Sequence, residues 1–378
     1  MEPSLQTLSD RVRAAAADHT PLRIRGGGSK DFYGQSLQGE LLDTRTHSGI
    51  VSYEPSELVV TVRAGTPLAE LEAALAEKGQ CLPFEPPHFN ATRPSTATVG
   101  GMVAAGLSGP ARASVGAVRD YVLGAVLLNG RGELLTFGGQ VMKNVAGYDV
   151  SRLLAGSLGT LGLITEVSLK VLPVAPAEAT LVFELDQATA LAQLQRWGGQ
   201  PLPLNASCWV HDTTDAGQRK LLFVRLRGAV AAVESACRKM TQDVSAERMA
   251  NAMAAPDWQA CRDLRLPFFT TPPVPDMSLW RLSVAPSAPV LDLPWSQFVE
   301  WHGGQRWVWA PVSDAPRLRA AAQVAGGHAS LFRAAQVADK SVGVFAPLGS
   351  PLDRIHRELK KQFDPAGIFN PGRMFASI

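Results

Sequence analysis

The chain has 378 residues, of which 46% are hydrophobic and 19% are charged. This balance predicts a folded protein of two domains, with three as the alternative. A net charge of +2 without a dense run of Lys and Arg gives no indication of a nucleic-acid partner. Four scattered cysteines without a Cys-x-x-Cys pair argue against an iron–sulfur cluster or structural zinc, and the seven histidines show no metal-binding pattern, so no metal is expected.

The longest apolar stretches, such as residues 121–128, reach less than half of the about 20 residues that a membrane-spanning helix requires. The first residues also lack the basic and apolar blocks of a secretory signal. We therefore expect no transmembrane segment, and a cytoplasmic location with reduced cysteines.

The first quarter of the chain predicts a helix at 4–18, a strand at 21–25 that runs into three glycines, and a strand at 58–63. A helix should follow from Pro67 to Lys78, with Thr66 as its N-cap. From 90 to 116 small residues dominate, which favours close approach of the backbone to a ligand. Strands are expected at 121–128, 133–137 and 163–172.

The pattern changes after Pro173-Val174-Ala175-Pro176, which marks the expected domain boundary. The next elements are a strand (180–185), a helix (187–197), two strands (205–211 and 220–226) and a helix (229–241). This order predicts an α+β layer with its helices on one face of an antiparallel sheet. Further strands are expected near 279–284 and 306–310, and a helix beginning at Ser350-Pro351 precedes a turn-rich tail.

The loop Arg25-Gly26-Gly27-Gly28-Ser29-Lys30 is the strongest local motif. Three glycines after a strand let backbone N–H groups converge on phosphate oxygens, and the flanking cations would offset the phosphate charge. A surface turn is the alternative interpretation. A Rossmann site is excluded because no helix opening follows Gly28. A P-loop is not indicated either, since the chain has no Walker sequence.

Catalytic side chains are less evident. Ser157 departs from a nucleophile elbow because Ala155 replaces the first glycine and a strand follows. Acid–base candidates are the isolated residues His302, His328 and Asp120, for each of which a surface or core role is the competing interpretation. Five of the eight tryptophans fall between Trp280 and Trp309 and could form core, a substrate pocket or a partner surface.

Together these segments resemble the flavoproteins with a vanillyl-alcohol-oxidase or p-cresol-methylhydroxylase (PCMH) type of FAD domain. The resemblance covers about residues 5–174 and returns in the last thirty or so. Its segments are the glycine loop, Thr98-Val99-Gly100-Gly101 continuing to Gly116, Gly156-Ser157-Leu158-Gly159 continuing to Thr165, and the tail Phe363 to Arg373.

The resemblance implies an α+β fold. Residues 1–174 would form a PCMH-type FAD-binding domain of two α+β subdomains. Residues 175–340 would form an α+β, ferredoxin-like cap that faces substrate or a partner, and residues 341–378 would return to the FAD domain. The implied cofactor-binding residues are Arg25, Gly26, Gly27, Gly28, Ser29, Ser95, Thr98, Val99, Gly100, Gly101, Gly106, Gly109, Gly116, Gly159, Gly162, Ile164 and Asn370.

Within this family, three further segments resemble the FAD-binding E subunits of glycolate oxidase: Leu82 to Pro87, Lys143 to Asp149, and Gly326 to Arg333. The resemblance implies oxidation of glycolate, or a similar small 2-hydroxy acid, to the 2-oxo acid. The implied partners are a larger homologous flavin subunit and an iron–sulfur subunit, through which the chain could lie at the inner membrane.

Two departures qualify these expectations. Residues 25–30 contain neither His nor Cys, which predicts non-covalent FAD. The His-x-Gly-Asp-Gly-Asn motif of catalytic relatives is replaced by His328-Ala329-Ser330-Leu331, which leaves His328 as a weak candidate base. The alternatives to a redox subunit are therefore a stand-alone FAD-dependent 2-hydroxy-acid dehydrogenase and a mainly structural FAD-binding subunit.

Overall fold

The computed structural model describes residues 2–89, 95–139, 149–213, 217–376 and 378. Contacts divide the chain into two compact units. The first contains residues 1–107, 117–173 and 347–378, and the second contains residues 108–116 and 174–346. The short segment 108–116 thus groups with the second unit although it lies inside the first in sequence.

The described helices and strands up to residue 173 follow in chain order. They are α1 (Pro3–Asp18), β1 (Leu22–Arg25), β2 (Glu40–Asp43), β3 (Ile50–Glu54), β4 (Val59–Arg63), α2 (Leu68–Ala76), β5 (Gln80–Cys81), α3 (Val99–Ala105), α4 (Arg112–Val115), β6 (Val122–Leu128), β7 (Leu134–Gly138), α5 (Val150–Leu153), β8 (Leu163–Lys170) and β9 (Leu172–Pro173).

In the first unit, described residues form a five-stranded antiparallel sheet in the order β3-β4-β8-β6-β7. A separate parallel pair joins β1 to β2, and β5 pairs with β9. Helix α1 is amphipathic, and it buries Leu8, Val12 and Ala15 against Leu22 and Phe369. Burial of this apolar stripe stabilises a helix that would be marginal in isolation.

Helix α2 begins one residue later than the sequence predicts. Pro67 is its N-cap and makes no side-chain cap bond. The Thr66 hydroxyl instead donates to the Arg63 carbonyl oxygen (2.7 Å) and accepts from the Gly49 N–H (2.8 Å). Thr66 therefore stabilises the turn after β4 through these bonds. The expectation that it caps α2 is wrong.

The described elements of residues 174–378 also follow in chain order. They are β10 (Ala177–Glu184), α6 (Gln187–Gly198), β11 (Leu204–His211), β12 (Lys220–Gly228), α7 (Val230–Asp243), β13 (Glu247–Met249), α8 (Asn251–Arg262), α9 (Pro267–Thr270), β14 (Ser278–Ser283), β15 (Gln297–Glu300), β16 (Gln305–Ala310), α10 (Ala315–Val324), β17 (His328–Arg333) and α11 (Leu352–Phe363).

Described residues of the second unit form an eight-stranded antiparallel sheet, ordered β13-β10-β12-β11-β15-β16-β14-β17. The first four strands have the 4-1-3-2 order of a βαββαβ ferredoxin-like module. The other four, β14 to β17, have the same order in reverse, although no helix lies between β14 and β15 in described residues 284–296. Two modules of this strand order are therefore joined through their second strands, β11 and β15. This confirms the predicted ferredoxin-like layer and shows that it occurs twice.

Helices α6, α7 and α10 pack on one face of this sheet, over cores that contain Trp197, Trp209 and Trp280. The opposite face carries Cys208, Phe298 and Trp309, because residues paired across antiparallel strands point to the same side. Helix α8 lies on that opposite face and donates a hydrogen bond from Trp258 Nε1 to Thr180 Oγ1 (3.0 Å). The prediction of helices on one face alone therefore missed α8.

Candidate functional site

The glycine loop follows strand β1 and packs closely against segment 96–98. A Cβ atom on Gly27 would lie 1.3 Å from the Thr96 carbonyl oxygen, and one on Gly26 would lie 2.2 Å from Thr98 Oγ1. Gly28 has φ +75°, a conformation that glycine adopts without steric cost. The glycines at 26 and 27 thus leave room for the segment 96–98, and Gly28 turns the chain.

Helix α3 forms a second side of the site. Thr98 caps it, since the Thr98 hydroxyl accepts the Gly101 N–H at 3.3 Å. Val99 and Gly100 are buried behind this cap, and a Cβ on Gly100 would lie 2.6 Å from Ala64 Cβ. Thr98 and Gly101 therefore line the site, whereas Val99 and Gly100 support it.

The third side comes from the loop that precedes β8. A Cβ on Gly106 would lie 2.7 Å from Gly156 Cα, so these two glycines let the loop pack against the end of α3. Gly159, with φ +71°, lies against the Asn370 amide. Gly162, directly before β8, packs on the Leu128 carbonyl, and Ile164 is buried in β8, so both support the loop from the side of the sheet.

Asn370 in the C-terminal tail joins these sides. Its side-chain oxygen accepts the Ile24 N–H at 2.8 Å, and its side-chain nitrogen donates to the Leu158 carbonyl oxygen at 2.6 Å. Its own N–H donates to the Leu22 carbonyl oxygen at 2.9 Å. The structure therefore assigns Asn370 a positioning role, in which it holds β1, the residue before Gly159 and the tail at fixed distances.

Arg373 belongs to the site, although it is not among the cofactor-binding residues that the resemblance implies. Its guanidinium is buried and donates to the carbonyl oxygens of Asp31 (3.1 Å), Tyr33 and Gln35. Burial lowers the pKa of Arg373 to about 10, so the side chain remains cationic at neutral pH. The Asn-Pro-Gly-Arg sequence of the tail was the available signal, but its spacing does not show which segment the arginine contacts.

Lys360 and Asp364 form a buried ion pair at the base of the tail, with Nζ and Oδ2 2.6 Å apart. Lys360 Nζ also donates to the carbonyl oxygens of Thr160 (2.8 Å) and Phe369 (2.7 Å). Asp364 accepts the Phe369 N–H at 2.8 Å. Desolvation lowers the pKa of Lys360, and its ionic partner opposes that shift. The pair connects α11 and the tail to the loop before β8.

These segments enclose a groove of about 90 Å³. Lys30 and Arg373 line it as cations, together with Arg25, which pairs with Asp31 at 2.7 Å. A groove of this size fits a phosphate group rather than a whole dinucleotide, whose pockets are several times larger. The predicted residues that it brings together are Arg25, Gly26, Gly27, Gly28, Ser29, Thr98, Gly101 and Asn370.

Ser95 lies outside that set of lining residues. Its hydroxyl is 2.7 Å from His88 Nδ1, and His88 Nε2 is 3.0 Å from Glu72 Oε2. The Ser95 hydroxyl also accepts the Ala97 N–H, which orients the chain entering Thr98. Residues 143–148, from the segment that ends at Asp149, lie outside the described residues.

Gly109 and Gly116 belong to the second unit. The Gly109 carbonyl oxygen accepts a hydrogen bond from Trp301 Nε1 at 3.0 Å, and Gly116, with φ +98°, ends α4. The turn that contains Trp301 is strained, because Trp301 (φ +54°) and His302 (φ +53°) both have a left-handed backbone conformation. It is fastened by the bond between His302 Nε2 and Ser114 Oγ (3.0 Å).

His302 is a candidate acid–base residue of unusual environment. Its Nδ1 is buried without a hydrogen-bond partner among the described residues, and burial lowers the pKa of the imidazole to about 4. The side chain is therefore neutral at physiological pH. His328, by contrast, is an exposed residue at the start of edge strand β17. Partial desolvation of its imidazole, and to a smaller extent the charge of Arg281, lower its pKa.

The residues of the groove fit an FAD diphosphate. Side chains at 26 and 27 would collide with segment 96–98, and one at 28 would strain the turn. The groove is lined by Arg25, Lys30 and Arg373 as cations and by the single carboxylate of Asp31, so its net charge suits a diphosphate. A family model described as an FAD binding domain matches residues 3–138. The chain is also 44% identical to glycolate oxidase subunit GlcE of Escherichia coli (strain K12) over 99% of its own length and 98% of that protein.

Two further likenesses are more distant. The chain is 30% identical to glycolate oxidase subunit GlcD of Bacillus subtilis (strain 168), over 48% of this chain and 38% of that protein. A solved structure of 4-ethylphenol oxidase from Gulosibacter chungangensis superposes with a TM-score of 0.70 at 14% identity, covering 98% of this chain and 88% of that one. The likeness to 4-ethylphenol oxidase confirms the PCMH-type fold and nothing about function.

Fold, groove and relatives together define an FAD-dependent oxidoreductase that acts on CH–OH groups. The likeness to an E subunit extends over the whole chain. The chain belongs to the family of FAD-binding E subunits of glycolate oxidase. Within the described residues, no helix has the length and apolar character needed to cross a bilayer.

Proposed function

We propose that this chain is the FAD-holding subunit of a multi-subunit enzyme that oxidises glycolate, or a similar small 2-hydroxy acid, to the 2-oxo acid. The observation that carries the proposal is the 44% identity to a glycolate oxidase subunit over essentially the whole of both chains. The groove supports it independently, because its cations and glycines suit a diphosphate.

The bound FAD would supply the hydride-accepting flavin. The chain's own residues bind and orient the diphosphate. The loop 26–28 would present backbone N–H groups, and Arg25 and Lys30 would offset the anionic charge. Arg373 would hold the loop from behind through the carbonyl oxygens of residues 31, 33 and 35.

We expect the cofactor to be dissociable. Residues 25–30 offer no His or Cys for attachment. Of the residues nearest in sequence, His47 shares a hydrogen bond with Ser4 (3.0 Å), and His88 is engaged by Ser95 and Glu72. Acid precipitation of the protein should release the flavin into the supernatant, and flavin retained in the pellet would contradict the proposal.

Electron transfer is proposed to continue through an iron–sulfur partner subunit, since the four cysteines of this chain are too scattered to hold a cluster. A larger flavin subunit is the second proposed partner, and the partial likeness to a GlcD subunit is consistent with two related flavin chains in one enzyme. We place the complex in the cytoplasm, with contact to the inner membrane, if any, made by partners. In this scheme residues 175–340 would form the cap, which faces substrate or a partner.

The cofactor site is tested by a pair of isosteric variants at Gly28. Both Gly28→Asp and Gly28→Asn place a branched side chain at φ +75°, which Asp and Asn tolerate better than other residues. Only the aspartate adds negative charge against the diphosphate, so it should weaken flavin affinity by about tenfold or more relative to the asparagine variant. Flavin retained at the natural flavin-to-protein absorbance ratio in both variants would show that the diphosphate lies elsewhere.

The assembly is tested by purifying the tagged chain from its native host and measuring flavin and iron per polypeptide. We expect an iron–sulfur subunit to accompany the chain and the purified complex to reduce a dye with glycolate. Reduction by the isolated chain would favour the stand-alone dehydrogenase, in which His328→Ala should then abolish turnover. A flavin of this chain that glycolate never reduces, even in the complete complex, would favour the structural subunit.

A further inference from the structure

The second unit contains a cavity of about 760 Å³ on the sheet face opposite to α6, α7 and α10. Strands β11, β12 and β15 form its floor, and helix α8 and residues 266–273 cover it. The volume lies within the range of pockets that enclose whole small molecules. It is therefore large enough for a ligand of considerable size.

The wall of this cavity is rich in aromatic side chains, and three of its polar side chains bond within the protein. Trp258 Nε1 donates to Thr180 Oγ1 (3.0 Å), and Trp309 Nε1 donates to the Phe268 carbonyl oxygen (2.6 Å). The Cys261 thiol donates to Glu300 Oε1 (3.3 Å). Because these groups are satisfied within the protein, the wall offers a ligand mainly ring faces and hydrocarbon, which bind aromatic groups well.

One exposed carboxylate also lines the cavity. The exposed carboxylate of Asp257, on the inner side of α8, has no hydrogen-bond or ion-pair partner within the described part of the chain. Partial burial raises its pKa, which shows that its charge is incompletely solvated. His211 and Asp212 line the same cavity from the end of β11. A cation placed here would offset the carboxylate charge.

This arrangement does not suit a small 2-hydroxy acid. Such a molecule is anionic and has almost no apolar surface, so it would lose hydration in the aromatic interior without gaining a counter-ion. The carboxylate of Asp257 would also repel it. The occupant must therefore differ in class from the substrate of the proposed reaction.

We propose that this cavity binds an aromatic molecule that carries a protonated amine, with its ring system between α8 and the sheet and its ammonium group at Asp257. The proposal does not rest on the proposed function, since every residue that carries it belongs to the second unit and none belongs to the flavin groove. The ligand would be a modulator or co-substrate rather than the hydroxy acid.

Two probes with the same ring system test the charge assignment. The full-length FAD-containing chain is titrated by calorimetry with dansylcadaverine, an aromatic amine, and with dansylglycine, an aromatic carboxylate. We expect the amine to bind at least about tenfold more tightly. Asp257→Asn should weaken its affinity by about threefold to fivefold, whereas Asp292→Asn, an exposed aspartate outside the cavity, should not change it.

A second pair of variants tests the location. Val210 lines the cavity, so Val210→Trp should fill part of it and abolish binding of dansylcadaverine. Val230→Trp makes the same substitution at an exposed position on α7 and should leave binding intact. Flavin content and thermal unfolding check the fold of both, and Asp257→Asn remains informative if Val210→Trp is unstable.

Equal affinity for the two probes would overturn the proposal, as would unchanged binding to Val210→Trp. Displacement of dansylcadaverine by glycolate would do the same, because it would identify the cavity as a hydroxy-acid site. None of these results bears on flavin retention at Gly28. The cavity and the proposed function can therefore fail separately.

Discussion

The groove of the first unit and the cavity of the second are built from different materials. The groove is made of backbone, where glycines at 26 and 27 allow segments to touch and Asn370 holds them in register. The cavity is made of side chains, with Trp258 and Trp309 fixed by hydrogen bonds of their indole groups. A backbone-built site carries a recognisable sequence motif, whereas a side-chain-built cavity does not.

The largest effect is expected from breaking the ion pair that fixes the tail to the groove. Lys360→Met would leave the Asp364 carboxylate buried without its cation, so we expect a loss of about 3–5 kcal/mol in the free energy of unfolding. Flavin content should fall with it, because Lys360 also holds Thr160 and Phe369. Scanning calorimetry and the flavin-to-protein absorbance ratio measure both effects.

The neighbouring Lys361→Met is the matched control. Lys361 is exposed, so its loss should change the free energy of unfolding by no more than about 0.5 kcal/mol. Similar melting temperatures for the two variants would mean that the groove does not depend on the tail.

The second largest effect is a pH dependence that originates in the second unit. The imidazole of His302 takes up a proton near pH 6.5 when unfolded but only near pH 4 when folded. Stability should therefore fall as the pH drops from about 6.5 towards 4, by at most about 3 kcal/mol from this residue. The difference in melting temperature between pH 7 and pH 5 should shrink in His302→Asn.

His19→Asn provides the comparison for that experiment. His19 also has positive φ (+52°), but it ends α1 in an exposed position. Its replacement should leave the pH dependence as it is in the natural sequence. An unchanged pH dependence in His302→Asn would mean that the buried imidazole contributes nothing to acid lability.

A smaller effect is expected when the backbone contact of the groove is forced apart. Gly27→Ala places a methyl group against the Thr96 carbonyl oxygen, which should lower the free energy of unfolding by about 1–3 kcal/mol and reduce flavin content. Gly139→Ala adds the same methyl group where no atom lies within 4 Å. If both variants retain full flavin, the groove does not require close contact between residues 27 and 96.

The smallest effect separates the two units. Asp186 caps α6 by accepting the Thr189 N–H at 2.9 Å, so Asp186→Ala should cost about 1 kcal/mol in the second unit. Flavin content should not change, because the groove contains no residue of that unit. Flavin loss in Asp186→Ala would show that the units are energetically coupled.

These contrasts explain which parts of the molecule could be predicted from sequence. The strand and helix order of 177–243 follows from local hydrophobic periodicity. The glycine loop is evident from its own residues, whereas the other three cofactor segments follow from the resemblance to the PCMH-type family. The second ferredoxin-like module was only partly predicted, because its fold depends on the pairing of β11 with β15, which are distant in sequence. Helix α8 contains Pro256, a residue that normally argues against a helix.

Side chains with an unusual role were the hardest to predict. Lys360 lies in a highly charged helix, where a lysine is ordinarily solvated, and nothing local indicates that it is buried beside Asp364. Arg373 belongs to a recognised tail motif, but its contacts with residues 31–35 depend on how the chain returns to the first unit. Long-range geometry of this kind leaves no periodic trace in the sequence.

The return of the tail has a consequence for biosynthesis. Leu22 pairs with Phe369, and the Leu22 N–H donates to the Ile368 carbonyl oxygen at 2.7 Å, so β1, already paired with β2, gains this second neighbour only after residues 174–346 have been translated. The second unit can therefore fold on the ribosome before the first unit has its tail. We therefore expect chains that stop before residue 368 to lack this contact and to emerge without cofactor.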